Sequence, residues 1–406
     1  MSSRSYLDFA STSPLRPEAL AAVVAALQHL SGDPGRIHEE GLASRVALEQ
    51  ARDQVAGLLG TRGRSVVFTS SASEAIAAAT WGAADRARGR SADPSAPTHQ
   101  VVTAVEHSAV RFGAERAGEV TIVPVDGFGR VDAEAVLAAI RPDTAAVHVQ
   151  WGNHEVGTVQ PVADVVAGCR ERKVLVHVDA AQAAGRVPIG FDALGADLLS
   201  VSGHKLGGPA GTGALLVRRG LRLAPLLVGG DQERARRAGL EPVAALVGFG
   251  AACAALSAPA TGGETGPPEA GPGTSSAGAG TRLDAEAAAA SVLTDRIRAG
   301  LAELDGVHAY GDPVHRLPHL VCVGIDGIEP QGVLLGLDRA GVAAHSGSAC
   351  SSESLEPSPV LEAMGVDAHR SLRLSVGWTT TAADVDRALA ALAVTIDRLR
   401  ALAAGA

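Results

Sequence analysis

The chain has 406 residues, with 35 Lys and Arg against 44 Asp and Glu, so its formal charge is −9. Apolar residues at 46% and charged residues at 19% exclude a chain disordered throughout and allow a large buried core. The acidic balance argues against a nucleic-acid binder held by a broad basic face, and four scattered cysteines exclude a disulfide framework or a zinc site. The first residues lack the apolar stretch of a signal peptide. The charge-free run 243–263 is mostly Ala and Gly with Pro259 inside, which reads as a buried helix rather than a membrane span. A cytoplasmic enzyme is the expectation.

In chain order, β-branched runs at 65–69, 101–105, 120–124, 145–149, 174–178 and 197–201 alternate with helix-length stretches such as 73–88, 133–140 and 161–172. Near-continuous apolar strands between helices predict an α/β fold with a mainly parallel sheet covered on both faces. Ligands then sit beyond the carboxyl ends of the strands. The polar stretch 88–99 reads as a surface loop. From 257 to 281 the chain is Gly, Pro, Ser, Thr and Ala, with only Glu264 and Glu269 charged, so it predicts a surface loop or linker. A helix at 283–304, a strand at 319–325, a helix near 330–340, a strand at 372–376 and an amphipathic helix at 382–402 then predict a smaller α+β unit.

The residues with chemical potential stand at predicted strand ends. Lys205 lies between an apolar strand and a glycine-rich turn, where a desolvated amine can form a Schiff base with an aldehyde. A surface lysine on a turn is the plain alternative. Asp179 ends a buried strand and needs a cationic partner, which a protonated pyridine nitrogen can be, unless it only caps the next turn. The stretch 68–74 runs from strand into helix through small residues that admit a phosphate to backbone N–H groups, or that form an ordinary Ser/Glu cap. His107 follows another strand end, where its ring can stack on a planar ligand or satisfy a structural hydrogen bond. Cys350 sits among Gly, Ser and Ala and reads as an exposed nucleophilic thiol, whereas Cys169, Cys253 and Cys322 read as packing residues. Arg373, within a strand, can clamp a carboxylate with two parallel hydrogen bonds or face water at a sheet edge.

Together these segments, with Tyr6-Leu-Asp-Phe-Ala-Ser-Thr-Ser-Pro14, Glu155-Val-Gly-Thr-Val-Gln160 and Ser202-Gly-His-Lys205, resemble the cysteine desulfurases of the class V aminotransferase group. The resemblance runs nearly end to end, and the 346–357 segment resembles the subgroup with a long cysteine loop. It implies a pyridoxal 5'-phosphate (PLP) enzyme of the type I transferase fold, with a mainly parallel seven-stranded sheet. A large domain (15–256), a flexible loop (257–282) and a small domain (283–406, joined by 1–14) are expected, in a homodimer. It further implies that Lys205 holds PLP and moves protons, Asp179 pairs with the pyridinium, Gln182 bonds the ring hydroxyl and His107 stacks on the ring. Ala72, Ser73, Ser202 and His204 would hold the phosphate, and Arg373 the carboxylate of L-cysteine. Cys350 would take the sulfur as a persulfide for an acceptor protein.

Three departures stand out. His154 replaces an asparagine that normally bonds the ring hydroxyl. Leu240 falls where a threonine donates to the phosphate across the dimer interface. Asp33 replaces an asparagine near the substrate site, where a carboxylate opposes the substrate's own unless it points away or is paired. A selenocysteine lyase or another β-elimination keeps the cofactor and changes the reaction. A scaffold subunit that has lost activity is a third expectation the sequence leaves open.

Overall fold

The computed structural model describes residues 4–91, 93, 95, 97–260, 280–346 and 357–404. A short strand, β1 (Ser5–Tyr6), precedes the seven strands of the main sheet. These are β2 (Val66–Thr69), β3 (His99–Thr103), β4 (Glu119–Val123), β5 (Thr144–Gln150), β6 (Leu175–Asp179), β7 (Leu198–Ser202) and β8 (Gly213–Val217). Their spatial order is β2-β8-β7-β6-β5-β3-β4, and β8 alone runs opposite to the other six. Every residue of β2, β3, β7 and β8 is buried, as expected for a sheet with helices on both faces.

The strand expected at 101–105 lies two residues earlier, because His99 and Gln100 are buried polar residues inside the sheet. Ala104 and Val105 therefore form the turn after β3, and His107 becomes the N-cap of a helix, Ser108–Ala117. The reading has no strand at 213–217. β8 begins there at Gly213, which lies against the Ser71 turn, where a Cβ would come within 2.6 Å of the Ser71 carbonyl carbon. The helices Pro17–His29 and Glu39–Leu58 also go unread in the sequence. The first buries Ala19 and Ala26 while exposing Leu20 and Leu27, which inverts the usual apolar period.

The charge-free run forms a helix, Val243–Ser257, whose Leu246, Phe249, Cys253 and Leu256 are buried in the main core. It ends before Pro259, short of the expected 263. The backbone N–H of Ala260 donates to the Gly280 carbonyl (2.8 Å), which brings together the two ends of 261–279, a stretch outside the described residues. Among the described residues, no helix is long and apolar enough to cross a membrane.

A second core gathers around an antiparallel sheet of β9 (Val307–Tyr310), β10 (Leu320–Ile325) and β12 (Ser371–Ser375), in the order β12-β10-β9, with β11 (Val342–Ala343) beside it. β1 pairs in parallel with β11, and Leu7 is buried in this second core. The helices Arg282–Ala302, Pro330–Arg339 and Ala382–Ala404 supply most of its remaining apolar side chains.

Candidate active site

A cavity of about 160 Å³ opens at the carboxyl ends of β2, β5, β6 and β7, where a doubly wound sheet places its ligands. Lys205, Asp179, His107, Gln182, His154, Ala72, Ser73, Ser202 and His204 all line it.

Lys205, one of two lysines in the chain, follows β7 in a single 3₁₀ turn, His204–Leu206. Its carbonyl is held by the Ser13 hydroxyl (2.8 Å) and by Arg186 (3.0 Å). Burial lowers its amine to about 8, against the opposing pull of the Asp179 carboxylate. A sizeable fraction is then the free nucleophile near neutral pH. Asp179 closes β6. Its Oδ1 accepts from the Ala181 N–H (3.0 Å) and the Ser200 hydroxyl (3.2 Å). The turn-capping reading therefore holds on Oδ1, and Oδ2 takes neither bond.

His107 accepts the Ala109 N–H at Nδ1 (3.1 Å), so the neutral ring carries its proton on Nε2. Burial keeps it below its ordinary range. Its ring meets His154 edge-on, with centroids 5.2 Å apart and planes at 67°. His154 is buried and held well below the usual histidine range, by burial first and by neighbouring positive groups second. Gln182 donates from Nε2 to the Ala10 carbonyl (2.8 Å), and its Oε1 faces His319 Nε2 (3.3 Å). The second amide hydrogen is left for the cavity.

At the other end of the cavity the helix Ala72–Arg88 begins. Ser71 caps it by accepting the Glu74 N–H (3.2 Å), and Glu74 accepts the Ser70 N–H (2.8 Å). The cap and the anion-site readings are compatible, since the cap leaves the first N–H groups of the helix free. An anion site, a buried amine with a depressed pKa, a carboxylate facing the cavity and a flat imidazole make a donor set that fits PLP.

Three expected residues stand elsewhere. Arg373 on β12 is buried, and it is not an open clamp. Its Nη1 donates to the His154 carbonyl (2.7 Å), and its Nη2 to Asp8 (3.0 Å) and Ser11 (2.7 Å). Only Nε lacks a partner. Asp33 does not line the cavity. It pairs with Arg36 (3.2 Å) and accepts the Gly35 N–H (2.8 Å), so its charge is compensated away from Lys205. Leu240, at the position of the missing threonine, is exposed. Cys350 lies outside the described residues. Before it, His345 exchanges backbone hydrogen bonds with Arg373 (2.7 and 3.3 Å). After it, Ser358 donates to Glu155 (2.7 Å), whose carboxyl is pushed up to about 7 by burial. Cys169, Cys253 and Cys322 are buried, and burial raises each thiol, Cys169 to about 12.

Ser71 and Gln150 line the cavity without having been singled out from the sequence, and Asp8 holds Arg373. Asp8 sits inside a quoted motif, but nothing local links it to a strand more than three hundred residues later.

The chain matches the aminotransferase class-V family over residues 5–261 and 279–388, and it belongs to that family. The match is interrupted where the Gly/Pro-rich stretch lies. Within the family it groups with the cysteine desulfurases. It is 40% identical to the cysteine desulfurase of Cereibacter sphaeroides, over 98% of this chain and 97% of that one. It is 37% identical to the cysteine desulfurase IscS of Methanosarcina thermophila, over 97% of this chain and 92% of that one. The structure of a NifS-like protein superposes with a TM-score of 0.84 at 28% identity, covering 98% of this chain and 100% of that one. A NifS-like protein from Rickettsia africae gives 0.81 at 26% identity, covering 97% of this chain and 99% of that one.

Proposed function

We propose that this chain converts L-cysteine to L-alanine and keeps the sulfur as a persulfide on Cys350, for delivery to an acceptor protein. The observation that carries the reading is the shared cavity of Lys205, Asp179 and the Ala72–Ser73 helix start, in a chain 40% identical to a cysteine desulfurase. Lys205, Asp179, His107, Gln182 and His154 would hold the PLP ring, and Ala72, Ser73, Ser202 and His204 its phosphate. Bound there, PLP supplies an electron sink beside the substrate's α carbon.

The chain's own groups do the rest. Lys205, with its amine near 8, accepts and returns protons at Nζ. Arg373 takes the substrate carboxylate with Nε and with Nη2, once Asp8 gives way. The Cys350 thiolate attacks the substrate sulfur. An S–S bond forms as the C–S bond breaks, and that electron pair stays on the three-carbon fragment, which takes a proton and leaves as alanine. A cytoplasmic setting keeps the thiol reduced for this attack. A homodimer remains part of the reading, as the family resemblance implies.

The test incubates PLP-loaded protein with L-cysteine and a reductant, measuring alanine and sulfide beside a Cys350→Ala variant. Equal yields of both products, lost in the variant, are expected. Full alanine production by the variant would point to β-elimination instead. Loaded wild type giving neither product would leave a scaffold role.

A further inference from the structure

Behind Asp179, a line of buried polar side chains crosses the sheet. His177 and Asp179 share one face of β6, because strand side chains alternate. His177 is paired in register with His148 of β5, and their Nδ1 atoms are 3.0 Å apart. His148 Nε2 is 2.6 Å from Gln100 Oε1 on β3, and His177 Nε2 is 3.2 Å from the Ser200 hydroxyl on β7. That hydroxyl reaches Asp179 Oδ1 at 3.2 Å. Gln100, His148, His177 and Ser200 are all completely buried.

Burial keeps both imidazoles neutral, His148 down to about 3 and His177 well below its ordinary range. A neutral imidazole has one donor nitrogen and one acceptor nitrogen, so each link dictates the next. Only two polarities satisfy the histidine pair. In the first, His148 Nε2–H donates to Gln100 Oε1, His177 Nδ1–H donates to His148, and Ser200 O–H donates to His177. The single hydroxyl proton is then used, and Asp179 Oδ1 faces only an oxygen lone pair. In the second, the Gln100 amide is turned by 180° and donates to His148 Nε2. His148 Nδ1–H donates to His177 Nδ1, His177 Nε2–H to Ser200, and Ser200 O–H to Asp179. Gln100 Nε2 has no partner in the orientation found, so the turn exchanges one unpartnered end for the other. Only the second polarity places a proton in every link, and it directs each donor toward the carboxylate.

We propose that Gln100, His148, His177 and Ser200 form a proton-ordered relay aimed at Asp179, in which His177 and Ser200 are positioning residues that hold the Asp179 carboxyl in place against the cofactor's ring nitrogen. The proposal rests on the PLP reading of the cavity, yet the polarity of the relay is a property of the chain alone. Satisfying Oδ1 from behind fixes the carboxylate plane and reserves Oδ2 for the cavity.

Two measurements decide it. Nitrogen-15 spectra of histidine-labelled protein, cofactor-free and PLP-loaded, report which ring nitrogens carry protons. His148 protonated at Nδ1 and His177 at Nε2 is expected in both forms; the opposite pair of tautomers overturns the relay. A pH titration of the visible band of the PLP-loaded protein then compares Ser200→Ala and His177→Phe with wild type. Each raises the apparent pKa by about one unit, a tenfold gain in proton affinity near Lys205, because a weaker Asp179 leaves less positive charge on the ring nitrogen. The double variant shifts no further, since the two act in series. His177→Gln restores the wild-type value through an amide N–H at the Nε2 position. Titrations unchanged in every variant refute the positioning role. Wild type that binds no PLP would remove the functional reading, while the spectra of the cofactor-free chain still settle the polarity. The wild-type spectra also decide it should a variant not fold.

Discussion

Replacing Lys205 with methionine tests whether the cavity strains the amine as the structure requires. The group ordinarily titrates at 10.5 and is lowered to about 8 by burial, so holding it protonated inside the folded chain costs stability. At about 1.4 kcal/mol per pH unit, that gap corresponds to about 3 kcal/mol. The side chain is partly exposed to the cavity, and screening there reduces the expected effect to about 2 kcal/mol. The sign follows from proton counting. Below pH 8 the lysine is charged in both states and the full penalty is present. Between 8 and 10.5 the unfolded chain binds the extra proton, so the wild type gains stability as pH rises, and above 10.5 the penalty has vanished. Cofactor-free Lys205→Met is therefore about 2 kcal/mol more stable than wild type at pH 7, and the two converge near pH 10.5. Urea unfolding of both proteins from pH 6 to 10.5 reads this difference directly, since every other titrating group is common to the pair. A constant difference across that range, or a less stable variant at pH 7, would refute the reasoning.

Glu233 is a second point of leverage. It meets Arg52 with two bonds (2.6 and 2.7 Å), accepts the Phe68 N–H (2.8 Å), and sits in a run of three non-glycine residues with positive φ, Glu233–Ala235. Glu233→Gln leaves the buried Arg52 guanidinium with only the half-exposed Glu49 carboxylate (3.2 Å), and urea midpoints should report a loss of about 1.5–3 kcal/mol. Arg52→Met with Glu233→Leu should lose less than that single change; a double variant worse than Glu233→Gln sinks the argument. On the proposed role of Arg373 as carboxylate binder, Asp8 competes with that carboxylate for its Nη2, so Asp8→Asn is expected to lower KM for L-cysteine about threefold to tenfold with kcat little changed, up to about 1.4 kcal/mol of competition removed. A raised KM would mean that Asp8 instead holds Arg373 in its productive pose. In the native protein Cys169, Cys253 and Cys322 should resist an aromatic disulfide reagent, leaving at most one fast thiol per chain; a second fast thiol contradicts their burial.

The sequence is most legible where local chemistry and backbone period agree. Lys205, Asp179 and the 68–74 turn stand at strand ends, and a parallel sheet gathers strand ends into one crevice, so their meeting follows from the alternation of strands and helices. The surroundings of Asp33 are hidden for the complementary reason. Its compensation by Arg36 is a side-chain geometry three residues away that the linear pattern does not encode. The engagement of Arg373 by Asp8 is equally invisible, because it joins β12 to the segment after β1. The polar residues within strands show a third limit. His99 and Gln100 look like the end of a loop, yet neighbouring strands bond them, and tertiary hydrogen bonds overrule the apolar pattern.

The pairing of β1 with β11 bears on how the molecule is made. Residues 5–13 precede the large sheet in sequence, but β1 bonds to β11, and Asp8 and Phe9 meet Arg373 and Ser375 of β12. The same segment completes one wall of the cavity, through Ala10 to Gln182 and Ser13 to the carbonyl of Lys205. Its docking must therefore wait until β12, 365 residues further along at Arg373, is in place. Such long-range closure is slow, and the large sheet spends that interval with the cavity open on one side. The cavity wall is thus among the last parts of the fold to be finished, and firm ligand capture follows the docking of this segment rather than the folding of the large sheet alone.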